Sequence, residues 1–122
     1  MLAEAGGAGQ LQEGAVMLLT AGVRRVMHHL GMSHDPVPDV IAPILLAAFE
    51  WVYATNAGMF YPRFAAGDLV MQGDVIGTVG SLFGDTLETV KAPVTGRILF
   101  LTINPAVVTG GLLMGIGVGE AG

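Results

Sequence analysis

Side chains able to act as nucleophiles, bases or metal ligands are sparse in this chain, and their spacing limits what they can do. Histidines stand at His28, His29 and His34, the last followed by Asp35. Neighbouring residues on a helix point about 100° apart, so His28 and His29 cannot share one ion as an i,i+4 pair does. Both are expected as exposed side chains at a helix end, where they suit the helix dipole. Ser33-His34-Asp35 has the letters of a catalytic triad, but three consecutive residues cannot reach a nucleophile–base–orienter geometry. Gly6-Gly7-Ala8-Gly9 lacks the preceding strand, lysine and hydroxyl of a phosphate loop. Glu4, just before it, reads by itself as a solvated carboxylate. The chain has no cysteine, which removes thiol nucleophiles, disulfides and zinc–thiolate centres together.

The bulk properties narrow the classes further. Five basic and ten acidic residues give a net charge of −5, and the scattered basic residues form no phosphate-neutralising patch, so nucleic acid is not an expected partner. At 122 residues and 52% hydrophobic the chain has room for one domain with an appendage and enough apolar surface to fold. The longest apolar run, 40–49, contains Pro43 and stops at Glu50, well short of the roughly 20 residues that span a bilayer. The N-terminus has no basic region of a signal peptide. No membrane partner and a cytoplasmic location are therefore expected.

The elements that must position these residues follow from periodicity. Leu11, Ala15, Leu18, Leu19, Gly22, Val26 and Leu30 recur at helical spacing, which predicts an amphipathic helix over 11–30. Glu13 near its start and Arg24 and Arg25 near its end suit the dipole, and Gly31 sits where a left-handed cap belongs. Segment 32–39, with Pro36 and Pro38, reads as a linker. From about residue 44 the pattern changes to short β-segments, with Phe49, Trp51 and Tyr53 alternating against Ala48, Glu50 and Val52. Trp51 and Tyr53 are expected to pack on a strand face, with a substrate entrance as the other reading. Many of the 19 glycines, several in Gly-Asp pairs, punctuate these segments, as a compact unit with many turns requires. An internal repeat is visible: Ala57-Gly58-Met59-Phe60, Pro62, Gly67-Asp68-Leu69-Val70 and Gly77 against Thr95-Gly96-Arg97-Ile98, Pro105, Gly110-Gly111-Leu112-Leu113 and Gly115. It predicts a quasi-two-fold sandwich.

Gly67-Asp68-Leu69-Val70-Met71-Gln72-Gly73-Asp74 followed by Ala92-Pro93-Val94-Thr95-Gly96-Arg97-Ile98 resembles the barrel-sandwich hybrid of lipoyl and biotinyl domains. The fold class expected is thus mainly β with an N-terminal helix, the β domain being a barrel-sandwich hybrid. In such carriers the modified lysine occupies a hairpin tip. Counting back from Ala92-Pro93 places that tip near Phe83-Gly84, whereas Lys91 abuts the Ala-Pro and should lie on a strand, which argues against a swinging-arm carrier.

Over nearly its whole length the chain also resembles the C-terminal portion of the succinylglutamate desuccinylase/aspartoacylase family. The resemblance rests on Glu4-Ala5-Gly6-Gly7-Ala8-Gly9, the helix carrying Gly22-Val23-Arg24-Arg25-Val26-Met27-His28-His29-Leu30-Gly31, and Gly58-Met59-Phe60-Tyr61-Pro62 ahead of the sandwich. It implies a zinc-dependent hydrolase that removes an acetyl or succinyl group from an N-acyl amino acid. Residues 1–31 would end the catalytic domain, 32–43 would be a linker and 44–122 the C-terminal β domain. It implies that Glu4 is the general base and acid of the reaction. In that family the zinc ligands, a His-x-x-Glu pair and a later His, lie upstream of the Glu segment. No metal ligand is therefore expected in these 122 residues, and the isolated chain is expected to lack activity without an upstream catalytic domain. Self-association into a homo-oligomer through the apolar stripe of the helix is expected. The other reading is a non-catalytic biotinyl/lipoyl-like binding or assembly module.

Overall fold

A computed structural model describes residues 3–7, 10–39 and 43–120, leaving out the side chain of Glu120. Ala8 and Gly9 of the glycine-rich segment and residues 40–42 of the expected linker lie outside the described residues. The chain divides into two compact units, Met1–Ala42 and Pro43–Gly122.

The first unit is built on helix α1, Glu13–His29, inside the span that the periodicity predicts. Gln12 precedes it in an extended conformation. At the other end Gly31 adopts φ +70. Its N–H donates to His28 O (3.0 Å) and the Met32 N–H to Met27 O (2.8 Å), the paired closing bonds of a Schellman motif. Glycine makes that stop cheap because the left-handed conformation crowds a Cβ. No residue of α1 is buried, so Val16, Met17, Leu18, Val23 and Val26 all remain exposed.

The second unit is mainly β, with strands β1 Leu46–Tyr53, β2 Gly58–Pro62, β3 Leu69–Val70, β4 Val75–Gly80, β5 Thr86–Lys91, β6 Gly96–Leu101, β7 Ala106–Val107 and β8 Leu112–Glu120. They form two four-stranded antiparallel sheets, ordered β1-β8-β6-β3 and β5-β4-β2-β7. Ile76, Val79, Ile98, Leu113, Met114 and Ile116 have no exposed surface and centre the core, with Phe60, Val70 and Val90 around them. Met114 is the methionine this core uses; Met71 is exposed.

The two sheets are made of equivalent parts. β2 lies between β4 and β7 as β6 lies between β8 and β3, so each half lends its two-residue strand to the other half's sheet. The hydrogen bonds repeat accordingly. Ala92 N–H donates to Asp74 O (2.9 Å) and Gly73 N–H to Ala92 O (2.8 Å). Their counterparts are Ala54 N–H to Gly111 O (2.8 Å) and Gly110 N–H to Ala54 O (2.8 Å).

This pattern gives the quasi-two-fold arrangement that the repeat predicts, but it corrects the alignment of the repeat. Gly58 does correspond to Gly96. Gly110-Gly111-Leu112-Leu113, however, corresponds to Gly73-Asp74-Val75-Ile76 rather than to Gly67-Asp68-Leu69-Val70. Gly115, opposite Trp51 on β1, corresponds to Thr78, opposite Thr89 on β5, rather than to Gly77. Both kinds of turn start with a glycine, so letters cannot tell them apart and only the ladder bonds do.

Two features fix the turns. Asp68 Oδ2 accepts the Ala65 N–H (2.7 Å) and Asp74 Oδ2 accepts the Met71 N–H (2.8 Å), so each Gly-Asp turn is closed by its own aspartate. The equivalent glycines Gly58 and Gly96 sit where the neighbouring strand leaves no room for a side chain. A Cβ on Gly58 would lie 2.5 Å from Gly80 O, and one on Gly96 would run into Gly117 O.

Candidate functional site

Residues 3–7 run beside α1. Gly6 (φ +86) allows the close approach, because a Cβ there would come within 3.2 Å of the Ala15 Cβ. Glu4 and Ala3 then share a groove of ≈ 800 Å³ with Leu18, Gly22, Val26 and Met27 of α1. The groove is apolar along its helical wall, and Glu4 is the single charged residue among the described residues that line it. The side chain of Glu4 is exposed. An exposed carboxylate beside an apolar trough can take up and return a proton while the trough accommodates an apolar group.

On another side of α1, Pro36-Val37-Pro38 folds back across Val16, Thr20 and Ala21 and leaves an open cleft of ≈ 290 Å³. Arg25 Nε donates to Pro38 O (3.2 Å), and Arg24 approaches Asp35 at 3.9 Å with both side chains largely in solvent. That ion pair contributes little at such exposure. Ser33 Oγ accepts the Asp35 N–H (3.1 Å), which shapes a turn and leaves Ser33-His34-Asp35 without triad geometry. His28, His29 and His34 are exposed. Among the described residues no three His, Asp or Glu side chains converge as a metal cage would require.

In the second unit, Lys91 ends β5 and is exposed on the strand. The β4–β5 hairpin turns at 81–85, where Ser81 N–H donates to Asp85 O (2.8 Å) and Gly84 has φ +94. Its tip carries Leu82 and Phe83, the latter 95% exposed. The tip thus falls at Phe83-Gly84 and holds no lysine.

Sequence reasoning missed one cluster. Phe49, Trp51 and Phe100 pack as a trio, with ring centroids 4.6 Å (Phe49–Trp51), 5.5 Å (Trp51–Phe100) and 6.3 Å (Phe49–Phe100) apart. The rings lie over Gly115, whose missing side chain makes their space: a Cβ there would meet Phe100 at 2.5 Å and Phe49 at 2.7 Å. Trp51 therefore packs on a strand face, and remains 45% exposed. The available signal was Gly115 and Gly117 two apart on one strand, which align on one face and invite cross-strand aromatic cover.

No family model and no curated protein matches the sequence. Solved structures do resemble it. The ectoine utilization protein EutE (DoeB) from Ruegeria pomeroyi superimposes with a TM-score of 0.78 at 20% identity, over 93% of this chain and 37% of that protein. A succinylglutamate desuccinylase/aspartoacylase from Rhodobacter sphaeroides gives 0.71 at 18% identity, covering 93% and 38%. A succinylglutamate desuccinylase from Silicibacter sp. TM1040 gives 0.62 at 20% identity, covering 91% and 36%. At these identities the likeness establishes a shared fold. The chain spans just over a third of the length of each of these proteins.

Proposed function

We propose that this chain is the C-terminal part of a zinc-dependent hydrolase that removes an acyl group, acetyl or succinyl, from an N-acyl amino acid. The observation that carries this reading is the superposition of nearly the whole chain on about a third of the ectoine utilization and desuccinylase/aspartoacylase structures. In this reading residues 1–31 close the catalytic domain, 32–43 link it to the β domain, and 44–122 form a barrel-sandwich hybrid. The Ala92-Pro93 to Ile98 motif and the exchange of short strands between the sheets support that label. Glu4 acts as the general base and acid. Its position at the open rim of an apolar groove supports the role, because a proton carrier must reach both solvent and substrate.

Zinc would be held, in this reading, by residues upstream of Glu4. The isolated chain is inactive in this reading, and the working enzyme is cytoplasmic. No described helix is long and apolar enough to cross a membrane.

The test is hydrolysis of N-acetyl and N-succinyl amino acids by the polypeptide encoded by the complete reading frame, beside the isolated 122-residue chain. Activity confined to the longer polypeptide supports the assignment. A reading frame that supplies no His-x-x-Glu segment, or zinc-independent turnover by the isolated chain, overturns it.

A further inference from the structure

We infer that residues 32–38 are a strap latched to α1 by Arg25, so that the tether to the β unit begins at Asp39 rather than at Met32. By composition 32–39 is a linker, yet the compact helical unit extends to Ala42, well past the end of α1 at His29. Each step of the strap carries its own restraint. The Met32 N–H donates to Met27 O (2.8 Å) and the Asp35 N–H to Ser33 Oγ (3.1 Å). Pro36 and Pro38 fix their own φ and hold Asp35 and Val37 before them extended, which gives a stiff run in place of a coil. Val37 is half-buried and lines the cleft with Val16, Thr20 and Ala21 of α1.

Arg25 closes the strap at its far end, where its Nε donates to Pro38 O (3.2 Å). Of the two neighbouring arginines, Arg25 is half-buried and Arg24 exposed. Arg24 comes no nearer to Asp35 than 3.9 Å, beyond hydrogen-bond distance. The latch is therefore Arg25. Because one side chain holds the far end, the strap has a latched and a released state, and these differ in the length of the tether. Fully extended, 39–43 reaches at most about 18 Å, whereas 32–43 reaches about 43 Å. Latching thus cuts the volume that the β unit can sweep by more than about tenfold. The device does not depend on which reaction the protein performs.

Backbone order parameters from ¹⁵N relaxation of the 122-residue chain test it. The Val37 N–H should be as ordered as α1, with S² of about 0.85, and should fall below about 0.6 in Arg25→Met. Ellipticity at 222 nm should stay unchanged in that variant. Arg25→Lys keeps a cationic donor and should recover most of the parent order. Arg24→Met should leave Val37 as in the parent. The inference is overturned by a Val37 S² below about 0.6 in the parent chain, by no fall in Arg25→Met, or by an equal fall in Arg24→Met. It is also overturned by no recovery in Arg25→Lys, or by loss of helix in Arg25→Met, which would make Arg25 a determinant of α1 and not of the strap.

Discussion

Replacing Gly58 or Gly96 by alanine probes the strand exchange at the centre of the β unit. The added Cβ of residue 58 would sit 2.5 Å from Gly80 O and 2.8 Å from Val79 Cγ1, where ordinary contact begins at 3.4 Å. Because the nearest obstacle is backbone, no side chain can swing aside, and β2 and β4 would have to part by roughly 0.9 Å against their own ladder bonds. Residue 96 meets the same obstacle at Gly117 O and Ile116 Cγ2. Overpacking of this kind costs about 1–3 kcal/mol, and a backbone clash belongs at the upper end. For a unit of this size about 3 kcal/mol corresponds to a fall in Tm of about 12–24 °C. Thermal unfolding followed by near-ultraviolet circular dichroism reads it, because Trp51 and the phenylalanines report on this unit. Gly14→Ala is the control: nothing lies within 4 Å of its Cβ, and alanine in a helix should gain up to about 1 kcal/mol without moving the β transition. If Gly58→Ala and Gly96→Ala both melt within about 2 °C of the parent chain, the close approach that defines the quasi-two-fold is not real.

Further outcomes follow from the same contacts. Glu88 Oε2 accepts the N–H groups of Thr55 (2.9 Å) and Asn56 (3.0 Å), holding the β1–β2 turn against β5. Glu88→Ala should cost about 1–3 kcal/mol in urea unfolding, with Glu88→Gln recovering part of it through the remaining amide oxygen. Gly31→Ala forces a Cβ into the left-handed conformation that ends α1 and should cost about 1–2 kcal/mol, seen as a loss of helical signal at 222 nm with the β transition unchanged.

Local chemistry makes parts of this molecule legible in its sequence. Gly31 and the prolines that follow it announce the end of α1, since a left-handed cap and a missing N–H are properties of single residues. The Gly-Asp turns and the hairpin tip at Phe83-Gly84 were readable for the same reason. What escaped depends on partners distant in sequence. The repeat was visible but misaligned, because the ladder bonds of Ala54 and Ala92 decide which glycines correspond. The aromatic trio was not foreseen. A β-bulge between Ile98 and Phe100 breaks the alternation of β6, and Phe100 joins Phe49 and Trp51 over Gly115. Glu4 could be named through the family resemblance, but its groove could not, since that depends on Gly6 letting the chain pass close to Ala15.

The central claim is that Glu4 serves an acyl-amino-acid hydrolase, and one substitution tests it most directly. In the polypeptide from the complete reading frame, Glu4→Gln keeps the size and removes the ability to carry a proton. The account predicts that kcat/KM for N-acetyl or N-succinyl amino acids falls by about 10²–10⁴ while the thermal unfolding profile stays unchanged, because the side chain is exposed. Turnover within about twofold of the parent enzyme, at any pH where the parent is active, would contradict it.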